Sequence, residues 1–252
     1  AVGYGNNAGG VASSAFGFSN VAKVDYASAF GYSNEASGLA SSAVGFRNKA
    51  ASENASAVGY GNNANALAAS AVGYNNTAGG VGSSTIGYNN TATNENASAF
   101  GYGNTAGGLA SSAFGFSNTA SGDNANAFGY NNIASGSKSN VFGTGNTVSG
   151  SSSTAVGTAN EVAAENSTAI GNNNTISAGA ENSAALGNNI SISLKDSVAL
   201  GNNSTATAIN SVTGNSSYTK WAGVSDVVGV VSVGSSGATR QIQNVAAGQV
   251  SA

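Results

Sequence analysis

Ser98–Asn118 reads SAFGYGNTAGGLASSAFGFSN. Within it the motif Ala-Phe-Gly-(Tyr/Phe)-x-Asn occurs twice, with Gly101 and Gly115 fourteen residues apart. Outward in both directions the motif recurs at Gly3, Gly17, Gly31, Gly45, Gly59, Gly73, Gly87, Gly129, Gly143, Gly157, Gly171, Gly187 and Gly201. Every step is 14 residues except Gly171 to Gly187, which is 16 and marks a two-residue insertion in one turn. Fourteen residues suit one solenoid coil of two short strands and two tight turns, whereas a helical pair needs about 30 or more per repeat. β-branched and aromatic residues favour the strands, and Asn and Gly tolerate the left-handed angles of the turns. Fifteen coils at about 4.8 Å each would span about 70 Å.

The columns of this repeat predict two faces, because successive strand residues point to opposite sides. Two residues before the glycine stands Ala in nearly every coil, and five after it stands Ala22, Ala36 and Ala50, turning later to Val148, Val162, Ile176 and Ile192. The small residues of Ala-x-Gly are expected to share a narrow lumen. The large residue before each glycine then faces outward: Phe16, Phe30, Phe100, Phe114, Phe128, Ile170, Leu186 and Leu200 belong to this column. Tyr4, Phe18, Tyr32 and Phe46 join it one residue after the glycine, a position that becomes Thr or Asn from Thr144 onward. An exposed apolar stripe of that length is untenable on a monomer, and an identical subunit is the simplest partner. Three after the glycine is Asn in thirteen coils, Asn6 to Asn174, a column suited to a stacked hydrogen-bond ladder.

Composition narrows the function. The 252 residues include 37 Gly and no Pro, Cys, His or Met, and only 7% are charged. Hydrophobic residues at 40% with a net charge of −3 argue against disorder. Seven basic against ten acidic residues leave no basic stripe for nucleic acid. Without His or Cys there is neither the commonest general base nor a thiol nucleophile. The acidic residues Asp25, Glu35, Glu53, Glu95, Asp123 and Glu165 are scattered over different coils and read as solvated turn residues. No enzyme, cofactor or metal site is therefore expected. No signal peptide or membrane-length apolar run occurs, and Ala1 begins partway through a repeat, so export and membrane-anchor segments are expected outside these residues.

After Asn203 the regular pattern fades, with Asn210–Gly214 a degenerate last coil and a different segment following from Ser217. The coils resemble the head repeats of trimeric autotransporter adhesins, the YadA-like family. Ser167–Asn174 (STAIGNNN) and Asp196–Asn203 (DSVALGNN) are most similar to that family's usual Ser-Val-Ala-Ile-Gly form. Val231–Gly248 (VSVGSSGATRQIQNVAAG) resembles its neck, and Tyr218–Val230 the short insert often preceding that neck. The resemblance implies an all-β fold, a left-handed parallel β-roll packed as a homotrimer, with residues 1–214 as head, 215–230 as insert and 231–252 as a neck leading to a coiled-coil stalk. Val231, Val233, Arg240 and Gln241 would make contacts between subunits, pinning a wide head onto a narrower stalk. It also implies a virulence-associated surface adhesin on a Gram-negative outer membrane. The partners would be extracellular matrix proteins, host cells or abiotic surfaces, with autoagglutination and biofilm formation. Two alternatives are a structural spacer holding another binding domain away from the cell, and an ice-binding solenoid. For the second, Thr77, Thr91, Thr105 and Thr119 form one broken column with no regular partner column beside it.

Overall fold

The structure, a computed structural model, describes residues 1–209 and 228–243. The degenerate coil at Asn210–Gly214, most of the insert including Trp221, and the end of the neck beyond Gln243 lie outside the described residues. The rest is an all-β parallel solenoid. Each regular coil has one five-residue strand, such as Ser98–Tyr102, and one two-residue strand, such as Thr105–Ala106. The long strands stack into a parallel sheet of sixteen and the short ones into a parallel sheet of fifteen. Pairing is in register, glycine on glycine: Ile86 faces Phe100, Gly87 faces Gly101, Tyr88 faces Tyr102. The two-residue insertion falls in the turn between Ile176 and Ala184, and register resumes with Gly171 on Gly187.

Two alanine columns fill the lumen, two before and five after the glycine, as in Ala99, Ala106, Ala113 and Ala120. In the later coils Val141, Val148, Val162, Ile176 and Ile192 take the same positions. The asparagine column is also buried. Asn90 Nδ2 donates to Asn76 Oδ1 at 3.0 Å, to Ile86 O at 3.0 Å and to Gly101 O at 2.8 Å. Asn90 Oδ1 in turn accepts from the backbone N–H and the Nδ2 of Asn104, both at 3.0 Å. The pattern runs from Asn6 to Asn174 and ends where Ile190 N–H donates to Asn174 Oδ1. From Ser153 a second ladder begins, with the N–H of Ser167, Ser183 and Ser197 each donating to the serine hydroxyl of the coil before. Buried polar groups need such partners, and stacked identical coils supply them repeatedly.

The glycine column departs from the expectation of a shared small-residue face. The alanine is fully buried, but the glycine is half-buried or exposed, with φ near +120° in most coils. A Cβ on Gly101 would point along the stack and overlap the carbonyl oxygen of Gly115, rather than entering the lumen. The glycine is needed for backbone approach between coils.

In the regular coils each turn holds one left-handed residue, two after the glycine and again nine after it, while in the coil with the insertion the second one is Asn182, eleven after Gly171. The second set includes Asn54, Asn96, Asn124 and Asn166, but also Ala40, Ala68 and Ala110 at φ 52°, 54° and 50°. Left-handed backbone costs an L-residue about 1–2 kcal/mol, and Asn lowers that cost by local hydrogen bonding. Ala40→Asn and Ala68→Asn are therefore expected to stabilise by about 0.5–1 kcal/mol each, read as a raised thermal midpoint. A lowered midpoint in both would contradict this account of the turns.

Candidate adhesive surface

The outer face of the long-strand sheet carries two parallel rails. The first is the residue before each glycine. Phe16, Phe30, Ile170, Leu186 and Leu200 are exposed there, while Phe100, Phe114 and Phe128 are half-buried against one another. Their ring centroids step by 4.7 Å from Phe100 to Phe114 and 5.0 Å from Phe114 to Phe128. The second rail, one residue after the glycine, covers fewer coils but holds the longer unbroken aromatic stack. Tyr4, Phe18, Tyr32, Phe46, Tyr60, Tyr74, Tyr88, Tyr102, Phe116 and Tyr130 stack in one file, with centroids 4.7–5.2 Å apart and interplanar angles of 3–17°. Stacking shields the ring faces, and each pair contributes about 0.5–1.5 kcal/mol beyond area burial. The outward edges stay open, with Tyr60 and Tyr74 both 41% exposed.

The turns after the short strands form a separate corner. Val11, Leu39, Leu67, Val81 and Leu109 are exposed there, alternating irregularly with Asp25, Glu53, Glu95 and Asp123. Two of these acids are more than solvated charge. Asp25 Oδ1 accepts from Val11 N–H at 2.7 Å and Asp123 Oδ1 from Leu109 N–H at 2.9 Å, each closing the turn of the preceding coil. Lys23 pairs with Glu35 at 3.0 Å and Arg47 lies over the Phe46 ring at 5.0 Å. On the short-strand sheet Thr77, Thr91, Thr105 and Thr119 stand in register, and Ile133 ends the column. Among the described residues no cluster of acidic side chains has the makings of a metal site.

At the far end, Val231–Ser232 adds the last strand, with Val231 beside Val198 and Ser232 beside Ala199. Val230 N–H donates to Ser197 Oγ at 3.1 Å, which carries the serine ladder across the insert. Arg240 folds back over Gly201 on the last coil of its own chain. Its guanidinium donates to Val233 O at 2.7 Å, to Ser204 Oγ at 3.2 Å and to Asn202 O. Val231, Arg240 and Gln241 are exposed and Val233 is half-buried. The structure thus gathers Arg240 and Val233 at the end of the roll. Sequence reasoning placed Arg240 toward a neighbouring subunit and missed this contact, because the intervening insert breaks the 14-residue count.

The sequence profile described as YadA head domain repeat matches residues 8–34, 25–48, 36–62, 78–104, 106–132, 149–174 and 195–212, more than half of the chain. The chain belongs to the YadA head family. YadA heads are non-enzymatic adhesin domains of bacterial cell-surface proteins. Among solved structures, the collagen-binding domain of the Yersinia adhesin YadA is 20% identical, covering 87% of this chain and 78% of that one, with a TM-score of 0.21. No curated protein sequence matches the chain.

Proposed function

We propose that this YadA head is the adhesive part of a trimeric surface protein, presented on the outer membrane of a Gram-negative cell. It would attach that cell to matrix proteins, host cells or abiotic surfaces and support autoagglutination and biofilm growth. In this reading residues 1–214 are a left-handed roll, 215–230 an insert and 231–252 the neck above a coiled-coil stalk. The observation that carries it is the uninterrupted apolar column on the outer face of the long-strand sheet, where Phe30, Val58, Ile86, Ile170 and Leu186 stay 37–44% exposed on a single chain. A surface that long and apolar needs a partner. Light scattering on the purified chain is expected to give a trimer, and a folded monomer at micromolar concentration would refute it. Phe114→Ala is expected to cost about 3–5 kcal/mol per subunit once a neighbour buries the ring. An unchanged melting midpoint would place Phe114 outside any interface.

Adhesion is proposed to be spread over many coils, since each presents the same turn groups again. Linking weak contacts can raise avidity by about 10²–10⁴ without a strong single site. Removing whole coils in multiples of 14 residues, which keeps the stack in register, is expected to weaken binding gradually. Abrupt loss with one coil would indicate a discrete site. Absence of binding by the intact trimer to any matrix protein, cell or surface would favour the spacer.

A further inference from the structure

The two rails lie on one sheet face, yet they do not merge. Among the described residues every aromatic pair runs along a rail and none crosses between them. Between them runs the glycine column, without side chains and open to solvent at Gly31, Gly101, Gly115 and Gly129. The face is therefore a shallow groove floored by backbone, with an aliphatic and phenylalanine wall on one side and a tyrosine-rich wall on the other.

The exposed area is large. At roughly 60–80 Å² for each residue, scaled from the 150–250 Å² of an aromatic side chain, the rails leave on the order of 1,500 Å² per chain open. A standard interface takes about 800 Å² per partner. The occupant must also match a one-coil period along many consecutive coils. A second copy of this chain has that period by construction.

Threefold symmetry about an axis parallel to the stack sets the pairing. It keeps every coil at its own height, so a residue meets only same-coil residues of its neighbours. It also makes each contact heterologous, joining two different patches of the two subunits. Two distinct rails at one height, Ile86 and Tyr88 for example, supply such a pair of patches.

We propose that, in the trimer, the tyrosine-rich rail of each subunit packs against the aliphatic and phenylalanine rail of the next at the same coil, over the glycine floor. This rests on the trimeric reading and goes beyond it by assigning which column meets which. The zipper extends from Tyr4 to Tyr130. Below Thr144 the second rail is Thr144, Thr158, Asn172 and Asn188, so the apolar contact narrows to one column there.

The chain has no cysteine, which makes the pairing directly readable. Ile86→Cys and Tyr88→Cys are made separately with tags of different size, mixed, refolded together and oxidised with copper phenanthroline. Both positions are exposed, and circular dichroism checks that each variant folds. The expected result is a mixed 86–88 disulfide several-fold more abundant than either homodimer. Dominant 86–86 or 88–88 disulfides in a sample that scatters as a trimer would overturn the pairing while leaving the trimer intact. So would a scattering trimer with no disulfide at all. A monomer by scattering would overturn the trimeric reading itself, and the pairing with it.

Discussion

Asn90→Leu is expected to destabilise the head by about 6–8 kcal/mol, although leucine has the same number and branching of side-chain heavy atoms as asparagine. The substitution removes five side-chain hydrogen bonds, three donated by Nδ2 and two accepted by Oδ1. Each contributes about 1 kcal/mol net, and the N–H of Asn104 is left without its side-chain acceptor, a further cost of about 1–3 kcal/mol. The effect should spread. In a solenoid each coil contacts only its neighbours, so one faulty coil uncouples the stack on either side. Thermal and denaturant unfolding of Asn90→Leu, beside Ser84→Ala on the outer face of the same coil, gives the measurement. A large drop for the first and a small one for the second is expected. Equal, small drops would mean that the ladder merely fills space. Ile190 shows where the chain itself ends the ladder: it follows Asn174, and only one regular coil remains beyond it.

The asparagine column also shows how far the sequence could be read. Its presence in thirteen coils and its laddering followed from a 14-residue count, because stacking places equivalent residues above one another; its burial did not. Two strands per coil, the inward alanine and outward apolar columns and the coil carrying the insertion were legible for the same reason, whereas the place of the glycine was not. What a count cannot supply is direction in three dimensions. That Asn90 reaches forward to Gly101 O as well as back to Asn76 depends on a backbone angle, not on spacing. The bonds from Asp25 and Asp123 to the turn of the preceding coil were hidden similarly, since any exposed acid in a turn reads as solvated charge. Arg240 was singled out, but its contact with its own chain was not, because its partners Asn202 and Ser204 lie across the insert, where the period no longer predicts proximity. For the adhesive surface, sequence gave the apolar column and its aromatic companion but not their separation. The groove between the rails exists because Gly101 and its equivalents keep a backbone that other residues avoid.

That backbone underlies the second large effect. Gly101→Val is expected to cost more than about 4 kcal/mol, beyond the range of most single substitutions. If the glycine merely kept a narrow lumen clear, the penalty would grow with side-chain size, and Gly101→Ala would be mild, since alanine already lines that lumen at Ala99 and Ala106. The geometry says otherwise. At φ +118° the first carbon of any side chain overlaps Gly115 O, lies 3.0 Å from Gly115 C and 3.1 Å from Asn104 Nδ2. Gly115 O cannot swing aside cheaply, because Asn104 Nδ2 holds it at 2.7 Å as part of the ladder. Relieving the clash therefore breaks a ladder bond, and accepting it strains a conformation suited to glycine. Alanine carries the offending atom as fully as valine does. Gly101→Ala should thus lose most of the stability that Gly101→Val loses, and the two melting curves should lie close together, far below the parent. An alanine variant that melts near the parent while the valine variant collapses would return the glycine column to the lumen and refute the close approach of coils as its reason.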